Sequence, residues 1–320
     1  MKKVIIFGAT GGIGSYTVLE LLNDYEIVAV GRRDDNGFFK ELGVEYIRCD
    51  ITRDDDYLKL PGDKYAVINL AAMMPARMKG YDPQQYVDTL LNLNIFNYVA
   101  GSEKYIGFQS FSDVFYLWGR IPIPADAESR FPLNNDHSVY SICKTAAMNI
   151  ASHYAEKCYF KNFTIRLPNV YIYHPNPYYY LNGRLFWQNY RLMIDNACHG
   201  ENIEIWGDPT IERDILYVKD VTRVIKLCLE SDKPGIYNAG TGIGTSLENQ
   251  VKGIVEIFGG SYSYNYDKDD YPTAGYIMDI IKTRLNLGYV PRYDYISYLK
   301  DFKEEMKINR FEKLWGKPLP

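Results

Sequence analysis

The chain opens Met1-Lys-Lys-Val4-Ile5-Ile6-Phe7-Gly8-Ala9-Thr10-Gly11-Gly12-Ile13-Gly14, and this stretch decides the fold. Val4 to Phe7 is a short run rich in β-branched side chains, as a buried parallel strand requires. Glycines follow at 8, 11 and 14, and a helical pattern then begins with Tyr16, Val18, Leu19, Leu21 and Leu22. Strand, glycine-rich turn and helix together seat a diphosphate on a helix N-terminus, where unpaired N–H groups and the helix dipole favour negative charge. Gly8 permits the tight turn, Gly11 lets the phosphates approach the backbone, and Gly14 lets helix and strand pack closely. The reading predicts dinucleotide binding, with Thr10, Gly12 and Ile13 completing the loop.

Outward from this unit the alternation continues. Residues 27–30 read as a second strand ending in Gly31-Arg32-Arg33, and 45–48 as a third ending in Cys49-Asp50-Ile51. Residues 66–70 read as a fourth, ending in Ala71-Ala72. One helix carrying Tyr86, Leu90, Leu91 and Ile95 leads to a fifth strand at 105–109. After a proline-containing loop, a helix from Ser138 through Tyr154 leads to a strand at 163–167. Repeated βα units predict an α/β fold, a Rossmann-type doubly wound parallel sheet over residues 1–170. Ligands should sit beyond the C-terminal strand ends. Residues 171–320, punctuated by Pro175, Pro177, Pro209 and Pro234, read as a smaller C-terminal α/β substrate-binding lobe. Segments near 214–240 are expected to return to the large domain.

A net charge of −4 over 320 residues argues against nucleic acid or an anionic membrane as the main partner. The five cysteines include no CxxC pair, which fits reduced thiols in the cytoplasm, and the four histidines have no metal-ligand spacing. The apolar N-terminal run is too short for a signal peptide, and no 18-residue apolar stretch occurs. Thirty tyrosines fit either a sugar or base pocket or a compositional bias.

Tyr140-Ser-Ile-Cys-Lys144 places a phenol and an ammonium on one helix face. A nearby ammonium is expected to lower the phenol pKa, so that it can exchange a proton with a substrate hydroxyl or carbonyl. Ser110-Phe-Ser112 follows the fifth strand and brings hydroxyls to the crevice. Further along stand Arg166-Leu-Pro-Asn169-Val-Tyr171, then Arg213-Asp214 with Val218-Lys-Asp220. Tyr237-Asn238-Ala-Gly240-Thr-Gly242 and Leu287-Gly288-Tyr289-Val-Pro291 come last. With the glycine loop, Asp50-Ile51, Leu70-Ala71-Ala72 and Asn92, these motifs resemble, in order, an extended short-chain dehydrogenase/reductase. The type is the NAD-dependent epimerase/dehydratase, or nucleotide-sugar, family.

The resemblance implies roles. Tyr140 would be the acid/base, Lys144 would hold the nicotinamide ribose and tune Tyr140, and Ser112 would bind the same substrate oxygen. The cofactor would touch Gly8, Thr10, Gly11, Gly12, Ile13, Gly14, Asp50, Ile51, Leu70, Ala71, Ala72 and Asn92. Ser110, Tyr140, Lys144, Leu167 and Pro168 would complete its contacts. Ser112, Asp113, Tyr140, Asn169 and Arg213 would meet the substrate. A homodimer built on helices spanning 86–99 and 140–154 is implied by analogy.

At the second strand's tip, Gly31 precedes Arg32 and Arg33, and no acid is present to bond a ribose 2′-hydroxyl. This favours NADP(H) over NAD(H). Val114 stands where related 4,6-dehydratases carry a glutamate base, which argues against simple dehydration. No arginine occurs between Arg223 and Arg284, where relatives bind the nucleotide diphosphate, which leaves Arg213 and Lys268. Where the family carries Tyr-Gly-Pro, Tyr171-Ile-Tyr-His174-Pro175 is followed by Tyr178-Tyr-Tyr180, an aromatic insertion expected to border the substrate site and either to stack on a base or sugar face or to pack the lobe interface. The expected function is a nucleotide-sugar epimerase or 4-ketoreductase. The alternatives are an oxidoreductase acting on a non-nucleotide carbonyl and a non-catalytic NADP-binding protein.

Overall fold

The computed structural model describes residues 1–120, 122–130, 133, 137–181, 183–266 and 274–317. The first half alternates strand and helix: β1 (Lys3–Phe7), α1 (Gly12–Leu21), β2 (Glu26–Gly31), α2 (Phe38–Glu41), β3 (Glu45–Arg48), β4 (Ala66–Asn69), α3 (Pro83–Leu90), α4 (Leu93–Val99), β5 (Lys104–Ser110), α5 (Ser138–Cys158) and β6 (Lys161–Leu167). The elements of the second half are shorter: β7 (Val170–Tyr171), β8 (Tyr178–Leu181), β9 (Arg184–Trp187), α6 (Asn189–Cys198), β10 (Asn202–Trp206), β11 (Glu212–Asp214), β12 (Leu216–Tyr217), α7 (Val218–Glu230), β13 (Gly235–Asn238), β14 (Gly244–Ser246), α8 (Leu247–Phe258), β15 (Ser261–Asn265), α9 (Ile281–Leu287), α10 (Tyr295–Ile308) and α11 (Glu312–Trp315).

Seven parallel strands form the central sheet in the order β13-β6-β5-β4-β1-β2-β3. The chain works outward from β1 through β2 and β3, then crosses to the other side of β1 for β4. That reversal is the topological switch, and the crevice beyond it is where such sheets take their ligands. Successive residues of β1 show why its apolar run is unbroken. Val4 and Ile6 pack into one core with Val18, Leu21, Val221 and Val224 of α1 and α7. Ile5 and Phe7 pack into a second with Phe96, Val99 and Ala151 of α4 and α5. Both sheet faces are therefore covered, and a one-sided alternation would leave one core without side chains.

β13 is the sheet's edge strand beside β6, and α7 packs on α1. Two features depart from expectation. The helix expected across 86–99 is two helices, α3 and α4, because the Asn92 side chain accepts from the Asn94 N–H at 2.9 Å and caps a new start. The C-terminal helices also return to α1. Glu305 of α10 accepts from the Tyr16 hydroxyl at 3.0 Å, and Phe311 packs edge-on against the Tyr16 ring at 4.7 Å. Among the described residues, no helix is long and apolar enough to cross a membrane.

Candidate active site

The glycine loop lies at the switch point. Gly8 takes φ +78°, and a Cβ there would sit 2.8 Å from the Leu70 carbonyl carbon. A Cβ on Gly14 would fall 2.2 Å from the Gly8 carbonyl oxygen, so the first turn of α1 rests directly on the loop. Gly11 caps α1 without a side-chain hydrogen bond, and the helix's first turn carries no acid. A helix start with no competing side chain, no negative charge and no space for a Cβ fits the diphosphate of a dinucleotide.

Sequence reasoning did not anticipate what closes this loop from outside. The Thr10 carbonyl accepts from Arg33 Nη2 at 3.0 Å and from Trp315 Nε1 at 3.1 Å. Trp315 stacks on His174, with ring centroids 4.6 Å apart and planes 24° apart. Trp315 stands 305 positions from Thr10 in the chain, so no local pattern could bring the two together.

At the outer end of the crevice, Arg32 is exposed, while the Arg33 guanidinium is engaged by the loop. A Cβ on Gly31 would approach the Tyr46 hydroxyl to 2.8 Å and Thr10 Cγ2 to 3.0 Å, so a carboxylate-bearing residue there would have to displace both. Asp50 Oδ1 accepts from the Thr52 N–H at 3.1 Å and its hydroxyl at 2.8 Å. The Ile51 carbonyl accepts from Asn92 Nδ2 at 2.6 Å, which ties α4 to the end of β3. Leu70, Ala71 and Ala72 are half-buried at the end of β4.

The candidate reacting groups gather at the end of β5. Ser110 Oγ accepts from the Ser112 N–H at 3.2 Å and from the Ser112 hydroxyl at 3.0 Å. Ser112 Oγ also lies 2.8 Å from Ser141 Oγ on α5. Ser141 was missed by sequence reasoning. Its only sequence signal is its place beside Tyr140 and three residues before Lys144. Tyr140 is buried among Tyr86, Leu90, Met78 and Cys143, with Ala72 packed against the group. The Tyr86 ring meets the Tyr140 ring edge-on at 5.6 Å.

Lys144 Nζ stands 5.9 Å from the Tyr140 ring centroid and donates to the Phe108 carbonyl at 3.1 Å. Burial pushes the Lys144 ammonium down to about 8. The phenol moves opposite to the sequence expectation: burial, then the neighbouring Tyr86, raises the Tyr140 pKa. Desolvation prevails because the ammonium bonds a backbone carbonyl, and its charge does not offset the phenol's loss of water.

Asp113 corrects another expectation. It is fully buried, and its Oδ2 accepts from Gln109 Nε2 at 2.9 Å, Ser129 Oγ at 2.5 Å and Arg166 Nη2 at 3.2 Å. Arg166 also donates to the Ala125 carbonyl at 2.8 Å, so this pair fastens the loop beneath the site and presents no carboxylate to a substrate. Asn169 is exposed just past β6, with Leu167 half-buried and Pro168 buried before it. Arg213 is half-buried on β11, where its backbone bridges Tyr276. Lys268 lies outside the described residues.

A doubly wound sheet, a glycine loop at its switch point and a Ser/Tyr/Lys group at the next strand end define an extended short-chain dehydrogenase/reductase. The model for the NAD-dependent epimerase/dehydratase family matches residues 4–240, and the chain belongs to that family. A Methanocaldococcus jannaschii protein that carries the provisional name UDP-glucose 4-epimerase is 26% identical over 96% of this chain and 99% of its own length. Two solved structures share the fold. UDP-glucose 4-epimerase from Thermotoga maritima, with UDP-glucose, has a TM-score of 0.74 at 22% identity, covering 95% of this chain and 99% of that one. UDP-glucuronic acid 4-epimerase from Bacillus cereus, in complex with NAD, has a TM-score of 0.72 at 21% identity over the same shares.

Proposed function

We propose that this enzyme oxidises and re-reduces a ring carbon of a nucleotide sugar, inverting it as an epimerase does. The carrying observation is the group at the end of β5: Tyr140 and Lys144 on one face of α5, with Ser141 bonded across to Ser112. The names of the similar proteins, which include UDP-sugar 4-epimerases, support the same reading.

In this reading the substrate hydroxyl meets Tyr140 and Ser112. Ser112 is oriented by Ser110 and Ser141, so its hydroxyl is positioned before the substrate arrives. Tyr140 takes the hydroxyl proton as the carbon is oxidised and returns it when hydride comes back. Lys144, which donates to the Phe108 carbonyl, would hold a hydroxyl of the cofactor's ribose and supply the charge that favours tyrosinate. A nicotinamide dinucleotide, with its diphosphate at the glycine loop, would supply the hydride acceptor and donor.

A 4-ketoreductase that uses NADP(H) is the second reading, favoured by exposed Arg32 and the lack of space for an acid at Gly31. One assay separates the two. Purified protein is incubated with NAD(P)H and with UDP-, dTDP- and GDP-sugars or their 4-keto derivatives while absorbance at 340 nm and the sugar products are followed. Epimeric product without net absorbance change supports the epimerase, and steady NADPH loss supports the reductase. No product from any nucleotide sugar, in a protein that still binds NAD(P), would overturn both. Titration with NAD and NADP tests the cofactor preference: tighter NAD binding would refute the NADP reading, and Arg32→Asp should shift selectivity toward NAD.

A further inference from the structure

Beyond the reacting group, the crevice has a second chemical feature. The segment after β4 and the β8–β9 hairpin enclose a cavity of about 330 Å³ lined by Ala76, Arg77, Asn176, Tyr178, Tyr180 and Leu185. The lining combines one cation with two phenol rings and includes no residue of the glycine loop. Tyr178 is held by its own hairpin: its N–H donates to Asn176 Oδ1 at 2.9 Å, and its ring meets Trp187 edge-on at 5.2 Å. The wall is thus preorganised.

The surrounding charge is one-sided. Among the described residues, no carboxylate lies within ion-pair distance of Arg77, Arg33 or Arg191, whereas Arg166, Arg292 and Arg310 each have one. Arg33 donates to the Thr10 carbonyl and Arg191 to the His174 carbonyl, so both are satisfied by neutral backbone. Burial, then Arg77, Arg191 and Arg33, holds His174 near 3, so the ring is neutral and adds no charge beside the guanidinium groups. A planar fork of N–H donors beside aromatic walls suits a phosphate ester joined to a flat base.

We propose that Arg77 is the anion anchor of the substrate cavity and holds the diphosphate of the nucleotide sugar between Tyr178 and Tyr180. This rests on the nucleotide-sugar reading and names the residue through which this chain would recognise the nucleotide end.

The test titrates wild type, Arg77→Ala and Arg77→Lys with UDP, dTDP, GDP, uridine and NAD(P), alongside steady-state kinetics on the sugar turned over. Arg77→Ala should weaken nucleoside diphosphate binding and raise KM about ten- to a hundred-fold, the range of a charge-assisted contact. It should leave kcat, uridine affinity and NAD(P) affinity unchanged, and Arg77→Lys should restore part of the loss. Unchanged NAD(P) binding also reports that the variant is folded. Diphosphate affinity indifferent to Arg77→Ala, in a protein that turns over a nucleotide sugar, would overturn this inference alone. A parallel loss of NAD(P) affinity would assign the cation to the cofactor's diphosphate and overturn the substrate assignment. A wild type that neither binds these nucleotides nor turns over their sugars would overturn the functional reading as well.

Discussion

The two halves of the molecule hold their geometry by different means. In the first, β1 to β6 are joined by continuous ladders, and candidate site residues sit where strands end: Gly8 after β1, Leu70 after β4, Ser112 after β5. Backbone register alone places them. In the second half the strands are two to five residues long, and buried carboxylates join segments far apart in sequence. Asp214 accepts from the N–H groups of Thr241, Gly242 and Met278 at 2.8, 3.0 and 3.2 Å. Asp220 does the same for Arg292 and Tyr293 at 2.8 and 3.3 Å. The sheet half should therefore lose chemistry when a site residue is changed and keep its fold, while the other half should lose fold first.

The largest expected effect lies in the sheet half. Tyr140→Phe removes one hydroxyl and keeps the ring that Tyr86 packs against, so the melting temperature should stay near wild type. Turnover should fall about 10²- to 10⁴-fold, the usual contribution of a positioned acid/base. Normal kcat in this variant would remove Tyr140 from the mechanism. A pH profile sharpens the point. With Lys144 near 8, its ammonium is lost as pH rises through that value, and kcat/KM should fall with it. Lys144→Arg should carry that falling limb to higher pH, because a guanidinium stays charged.

Asp214→Ala probes the other half. It leaves three backbone donors without their acceptor and should cost about 3 kcal/mol, read as a lower urea midpoint. Asp214→Asn keeps the shape and one acceptor and should cost less. A pH signature accompanies these carboxyls. Burial raises Asp220 from 3.8 to about 6, so its folded form holds a proton that the unfolded chain has released in that window. Its contribution to stability is complete below 3.8 and declines as pH rises toward 6, and Asp220→Asn should remove that decline. A pH-independent difference between Asp220→Asn and wild type would show that the carboxyl does not titrate there.

The same division sets what a reader of the sequence can recover. The glycine spacing, the β-branched runs and the Tyr140–Lys144 interval are local patterns, and the sheet follows from them. The break at Asn92 was hidden because Leu90, Leu91 and Ile95 sustain a helical period across it, while the cap that interrupts the helix is one side chain. The resemblance makes Asp113 a substrate contact, but its orientation is set by Arg166, fifty-three residues later. The upward shift of Tyr140 was likewise invisible, since spacing reports which groups are near and not how much water each has lost.

The smallest effect is expected where the two halves meet. Trp315 belongs to the last helix, yet its indole N–H donates to the carbonyl of Thr10 in the first loop. Trp315→Phe deletes that donor and keeps an aromatic ring against Phe311, whose centroid lies 4.4 Å away, and against His174. Arg33 still donates to the same carbonyl, so no buried acceptor is orphaned. The loss should be about 1 kcal/mol of stability, with a few-fold weaker NAD(P) affinity as the loop gains freedom. Trp315→Ala removes the ring as well and should lose more of both. If Trp315→Phe leaves cofactor affinity unchanged and Trp315→Ala changes stability alone, the C-terminal helix contributes packing only, and the glycine loop holds its shape through the sheet half without it.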